Sequence, residues 1–273
     1  MKRFLPIFGF VVLFSIAILL NCYIATYAQE FDFNRAYDDY IYTYSQYRVA
    51  HSEYVSAKQA YLNYKTLTSK TEAQDKTLKM LEWRDEVIKT YLTALRLKLA
   101  ETTGISNYEQ NVLYLKLDSE VSWYIKHHDA LSSAGSLEDL VDSAEEAQSK
   151  YQETEVLIYQ ALGTILSGKE TALRQHLNQQ MESLKNKIAE IREKGDKKTT
   201  VAERWLLEAE NRLTRSLEKQ SAAQQILAKI KPYDSDKNQR YNQAQFTLEE
   251  SHQYLKEANL NLRELIREVK SAD

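Results

Sequence analysis

Glycine and proline are scarce in this chain, and their scarcity limits what it can fold into. Only six Gly and two Pro occur among 273 residues, and Pro6 and Gly9 fall within an apolar stretch at the start. Sheet proteins need many tight turns, most of which use Gly, Asn or Pro. With 43% hydrophobic residues, the chain is also too apolar for a disordered polymer. We therefore expect an all-α protein.

The first 28 residues have the layout of a signal peptide. The basic pair Lys2 and Arg3 precedes an apolar run over 4–20, and small residues lead up to Ala28, after which a signal peptidase would cut. The alternative is an uncleaved membrane anchor, because residues 4–28 exceed the roughly 20 that cross a bilayer. Both interpretations keep the N-terminus inside and place the body outside the cytoplasm.

The cysteine content and the net charge further limit the classes of protein to which this chain can belong. Cys22 is the only cysteine, so a body that begins after Ala28 contains no disulfide and is stabilised by helix packing. Lipidation of Cys22 is a weaker alternative, because residues 19–21 are not the small residues expected before a lipidated cysteine. A formal net charge of -3 disfavours a nucleic-acid binder.

Apolar residues recur at three- and four-residue steps along most of the chain, which predicts about six long helices. The predicted segments are 33–68, 72–101, 106–131, 136–194 with a kink or break at 163–168, 200–230 and 235–269. The expected N-terminal caps are Ser106 with Glu109, Ser136 with Asp139, Thr200 with Glu203, and Asp234 or Ser235. Helices of this length, against a usual 11 or 12 residues, predict an elongated antiparallel bundle or coiled coil rather than a globule.

Small residues mark the last two helices. Leucines alternate there with the small residues Ala209, Ser216, Ala223, Ala244, Ser251 and Ala258. Small layers that face each other let two backbones approach closely, and the connection near Pro232 is short. We therefore predict a tight antiparallel hairpin.

These patterns suggest three parts. Residues 1–28 form the signal peptide or anchor, and 30–166 form an N-terminal Tyr-rich helical bundle. Residues 167–273 form a C-terminal three-helix bundle that ends in the antiparallel hairpin. The two bundles would stack end to end.

Eight tyrosines lie between Tyr37 and Tyr64. The aromatic residues that recur every seven positions are Phe33, Tyr40, Tyr47, Tyr54 and Tyr61, with Tyr37 and Tyr44 at the intervening position. This repeat predicts a half-buried heptad seam. Tyr42 and Tyr64 lie off the seam, and together with Tyr37 and Tyr44 they are our candidate contact surface for a partner.

The sequence contains few motifs that would indicate a metal site or a catalytic site. A di-metal bundle needs two Glu-x-x-His pairs, and Glu249 with His252 is the only match, so we expect no metal. The sequence has no Gly-x-Ser-x-Gly elbow and no P-loop, and we expect no catalytic residues and no cofactor. The rings of His127 and His128 would point about 100° apart on a helix, and we expect His128 to pack beside Tyr124.

Together these features predict an exported, non-catalytic helical scaffold or spacer that acts by protein–protein contact in the cell envelope or outside the cell. Its partner is an unidentified protein, the N-terminal segment offers a membrane tether, and heptad stripes leave homo-oligomers open. The alternative is a ligand-binding bundle that holds an apolar or aromatic small molecule or a glycan, with the Tyr-rich helix as one wall.

Overall fold

The computed structural model describes residues 32–195 and 199–272. Those residues form six α-helices and no strand: α1 Phe33–Tyr64, α2 Leu67–Glu101, α3 Asn107–Leu131, α4 Leu137–Lys194, α5 Thr200–Ala228 and α6 Lys237–Ala272. The all-α prediction is confirmed. The predicted signal peptide or anchor lies outside the described residues.

The predicted break at 68–71 is wrong, because these residues lie within α2. The turn between α1 and α2 uses only Lys65, in the left-handed region at φ 50°, and Thr66. The Thr66 hydroxyl accepts a hydrogen bond from the Ser69 backbone N–H, and the Ser69 hydroxyl accepts one from the Thr66 N–H. One of the polar residues that suggested a break, Ser69, therefore belongs to the capping box that starts α2.

The other predicted caps have mixed outcomes. Ser136 and Asp139 form the expected reciprocal capping box at the start of α4. The cap predicted at Thr200 is wrong, because α5 begins at Thr200 and the residue before it makes no side-chain bond to the helix backbone. The last helix begins at Lys237, a few residues after the predicted caps.

Small residues form the line of contact between α1 and α2. The buried residues of α1 recur every seven positions: Ala36, Thr43, Ala50 and Ala57. They hold α1 against α2 so closely that the Oγ1 atoms of Thr43 and Thr90 are 2.8 Å apart. The seam tyrosines are half-buried as predicted, but they cover the flank of this line because an aromatic ring is too large for its centre.

A single helix of 58 residues, α4, runs through the position where we expected a kink or break. Gly163 and Gly168 give room to neighbouring elements there instead of ending the helix. A Cβ at Gly163 would overlap the Leu227 side chain, and one at Gly168 would overlap Ile105. At 1.5 Å per residue, α4 is about 87 Å long.

Helix α4 contributes to more than one core along its length. Its first half packs with α2 and α3 around leucines such as Leu92 and Leu117. Its second half packs with α5 and α6 around Leu177, Leu213 and Leu262. The domain boundary at 166–167 stays a prediction, and it falls within α4.

The predicted hairpin of α5 and α6 is confirmed. All six small residues of the pattern are fully buried, and the hydroxyl oxygens of Ser216 and Ser251 are 3.0 Å apart. The alternation of small residues with leucine therefore sets how closely these two helices pack.

Candidate functional site

The four tyrosines of the candidate contact surface are all exposed on α1. The exposed fractions of Tyr37, Tyr42, Tyr44 and Tyr64 range from 43% to 72%. The ring of Tyr42 makes an edge contact with Trp83 of α2, with ring centroids 6.5 Å apart. Tyr37 and Tyr44 were also expected to fill the seam, but the small residues occupy that line and leave both tyrosines outside it.

The exposure of α1 follows from its place at the side of the molecule. Among the described helices, α1 packs backbone to backbone only on α2. Its opposite side therefore faces solvent and carries the aliphatic residues Ile41, Val55 and Leu62, whose exposed fractions are 47% to 52%. Helix α1 thus exposes both aromatic and aliphatic side chains to solvent.

The half-buried tyrosines meet partners from other helices. The ring centroids of Tyr40 on α1 and Tyr91 on α2 are 5.0 Å apart. The ring of Tyr159 on α4 stacks on that of Tyr241 on α6, with centroids 4.2 Å apart. Burial, with a smaller contribution from Tyr40, raises the pKa of Tyr91 to about 12. These phenols stay protonated near neutral pH and act as packing and hydrogen-bonding groups.

A buried imidazole joins three helices. His127 of α3 is buried, with its Nδ1 atom 2.5 Å from Oδ2 of Asp85 on α2. Its Nε2 atom lies 3.1 Å from the backbone oxygen of Ser143 on α4. The ring also stacks on Trp123, with centroids 4.9 Å apart. The histidine that is buried inside the bundle is His127, whereas His128, which we expected to pack beside Tyr124, is half-buried.

The protonation state of His127 follows from this geometry. Both ring nitrogens face acceptors, and only the doubly protonated imidazolium can donate to both. Burial alone would lower the pKa of His127, but the hydrogen bond and charge of Asp85 outweigh it and raise the pKa. The result is a buried ion pair of His127 and Asp85, with the Arg84 Nε atom 4.0 Å from the other carboxylate oxygen.

A second buried polar group lies in the C-terminal half. The Ser251 hydroxyl donates to Glu170 at 2.6 Å, and the Arg174 guanidinium donates to the Ser216 hydroxyl at 2.9 Å. Burial raises the pKa of Glu170, and the Ser251 hydrogen bond and the Arg174 charge only partly offset this. This polar layer lies among α4, α5 and α6 and links the three helices by hydrogen bonds.

A groove of about 620 Å³ lies beside this layer, between α4 and α6. Leu166, Leu173 and Leu248 are among its apolar residues, and Glu170 is one of its polar ones. Glu249 and His252, the pair with metal-ligand spacing, also line it. Within the residues that the structure describes, no three His, Cys, Asp or Glu side chains are grouped to hold a metal ion.

Neither buried polar group was predicted from the sequence. Asp85 occupies a core position of α2, four residues after Leu81 and three before Ile88, both on the apolar face. An acidic residue at such a position signals a buried partner, but the partner itself is 42 residues away and is fixed only by the tertiary fold.

Comparisons with known proteins give no relatives to argue from: no family model, no curated protein and no solved structure matches the chain. No helix over 32–195 or 199–272 combines the length and apolar character needed to cross a membrane.

Proposed function

We propose that this protein is an exported, non-catalytic helical scaffold that holds or spaces other proteins through surface contact. The observation that carries the proposal is α4, a single helix of about 87 Å that takes part in the cores of both halves. Such a shared helix fixes the distance between two groups of helices, which is what a spacer requires.

The candidate contact surface lies beside the first half of this helix. The Lys70 ammonium near the start of α2 pairs with the Glu138 carboxylate near the start of α4, at 2.8 Å. The hairpin of α5 and α6 packs along α4 from Val156, near the connecting end of the hairpin, to Ile191, near the far end of α4. The exposed face of α1 and the open end of the hairpin, formed by the start of α5 and the end of α6, are therefore separated along the rod.

Small-angle scattering tests the spacer geometry. A monomeric rod built on α4 would have a radius of gyration of about 25 Å or more. A compact domain of this size would have about 18 Å. A value near 18 Å for the monomer would contradict the spacer proposal.

Photo-crosslinking in the cells of origin tests the contact function. The crosslinking amino acid p-benzoylphenylalanine would replace Tyr42 or Tyr64 on α1, and Tyr108 on α3 as a matched control. Tyr108 is the same residue type and is more exposed, at 81%, but lies on another helix. We expect specific adducts from α1 and none from the control. Equal adducts from all three positions, or none from α1, would contradict the proposal.

The groove between α4 and α6 favours a second candidate function, a bundle that binds an apolar small molecule. Its volume of about 620 Å³ is within the usual range of ligand sites, about 300 to 1,000 Å³. The Tyr-rich helix is not a wall of this groove, but its Tyr47 lines a second cavity of about 250 Å³, together with Ile88 and Tyr151. A rise in melting temperature with small-molecule extracts, lost in Leu173→Glu but retained in the exposed control Leu207→Glu, would support this function.

A further inference from the structure

The solvent side of α1 has the periodicity of a second helix interface. An outer ridge runs directly opposite the buried small residues and consists of Ile41, Ser45, Arg48, Ser52, Val55 and Leu62. These residues follow steps of four and three up to Val55 and a step of seven to Leu62, with Gln59 at the intervening position, which is the spacing that faces one partner helix. All of them are exposed, and α1 contacts no helix on this side in the described part of the chain.

The outer ridge is complementary to a second copy of itself that runs in the opposite direction. If a two-fold axis passes beside Ser52, Ile41 of one copy lies opposite Leu62 of the other, and Arg48 lies opposite Val55. Aliphatic residues then meet at both ends, and small hydroxyl residues at the centre let the two backbones approach. The aliphatic stem of Arg48 can cover Val55 while its guanidinium stays in water.

The charges of α1 match the same arrangement. Asp38 lies near the N-terminal end of α1, and the cation Lys65 lies just after its C-terminal end. The reversed pairing that aligns Ile41 with Leu62 also aligns Asp38 with Lys65, on both sides of the axis. A parallel pairing would instead place each charge beside its own copy. Antiparallel helices also oppose their dipoles favourably.

The size of the ridge sets the strength of this contact. Helix α1 has 32 residues and is therefore about 48 Å long. A strip of about 10 to 12 Å in width buries roughly 500 to 600 Å² per copy. A stable interface of standard size buries about 800 Å² per partner. The contact is therefore smaller than a stable interface of standard size, and we expect a reversible dimer.

We infer that the outer ridge of α1 binds a second copy of this chain, in an antiparallel two-fold dimer. The inference rests on the proposed contact function of α1 and names its partner. Two such rods would be joined side by side through their Tyr-rich halves.

Sedimentation velocity tests the dimer. The full-length chain with Cys22→Ser would be kept in a mild detergent, because its start is apolar, and measured from about 1 to 200 µM. The test variant is Ile41→Glu with Leu62→Glu. The matched control is Leu207→Glu with Leu217→Glu, two leucines of α5 with exposed fractions of 57% and 55%.

We expect a reversible dimer whose Kd rises at least tenfold in the α1 variant and stays within twofold in the α5 control. A chain that is monomeric over the whole range would overturn the inference. A dimer that the α1 variant leaves intact would also overturn it, since the apolar start would then be the site of association.

Disulfide mapping tests the direction of pairing. In the Cys22→Ser background, Ile41→Cys and Leu62→Cys are made as separate variants and oxidised alone and as a mixture. The antiparallel dimer predicts that the mixed sample gives the crosslinked heterodimer in preference to either homodimer. Preferred crosslinking of Ile41→Cys to itself would overturn it. Adducts to other proteins at Tyr42 or Tyr64 would still support the proposed contact function.

Discussion

Replacing His127 with leucine tests whether the buried imidazolium holds α2, α3 and α4 together. The change leaves the Asp85 carboxylate buried, at 1% exposure, without its hydrogen-bonded cation. Removing one partner of a buried ion pair costs about 3 to 5 kcal/mol. The control is His128→Leu, next in sequence, whose Nδ1 atom lies 3.6 Å from the carboxylate of the exposed Asp129, a contact worth about 1 kcal/mol or less.

Urea unfolding at pH 7, followed by circular dichroism, measures both changes. The reasoning predicts a much larger loss of unfolding free energy for His127→Leu than for His128→Leu. Equal losses would refute it, because they would mean that the contact with Asp85 adds nothing beyond an exposed pair.

The pair of His127 and Asp85 should also make the free energy of unfolding depend on pH. The pKa of His127 is higher in the folded state than its ordinary value of 6.5, because Asp85 stabilises the cation. The stabilisation is therefore complete below about pH 6.5 and is lost as pH rises through the folded pKa. The neutral pair Asp85→Asn with His127→Gln lacks this dependence. The wild type should lose stability relative to that double variant between pH 6 and 9, and a constant or rising difference would refute the assignment.

Three further changes test the packing. Ala209→Leu should overpack the α5 and α6 hairpin and cost about 1 to 3 kcal/mol of unfolding free energy, whereas the exposed control Ala222→Leu should change it by less than about 0.5 kcal/mol. Gly104→Ala should lower the free energy of unfolding by about 2 to 5 kcal/mol, because φ is +82° and the new Cβ would overlap the α4 backbone. The control Gly195→Ala, at φ +70° with open space around it, should lower it by only about 1 kcal/mol in the same urea titration. Glu170→Gln should raise the melting temperature at pH 8 and match the wild type near pH 4, because burial raises the pKa of Glu170 and makes its ionised form costly in the folded state; a loss of stability at pH 8 would contradict this.

The sequence predicted the α5 and α6 hairpin well because the information there is local. Small residues and leucines share one register in each helix, and the short connection allows only an antiparallel return. In α1 the same approach misplaced the centre of contact. Tyr47 and Ala50 both belong to seven-residue repeats, and a repeat does not tell which of two adjacent lines faces the partner helix.

Other features depended on contacts between distant residues. Gly163 and Gly168 suggested a break, but in the structure they make room for Leu227 and Ile105, which come from other parts of the chain. The pairing of Asp85 with His127 has the same origin, since neither residue's neighbours in sequence reveal the other. Fold class and helix positions could be predicted, whereas the buried polar groups could not.

The continuity of α4 has a mechanical consequence. Two domains that are joined by a loop can rotate about it, and a force applied to one of them is then relieved by that rotation. Here the halves share a helix whose axial rigidity comes from successive backbone hydrogen bonds, so a load at one end reaches the other without a pivot.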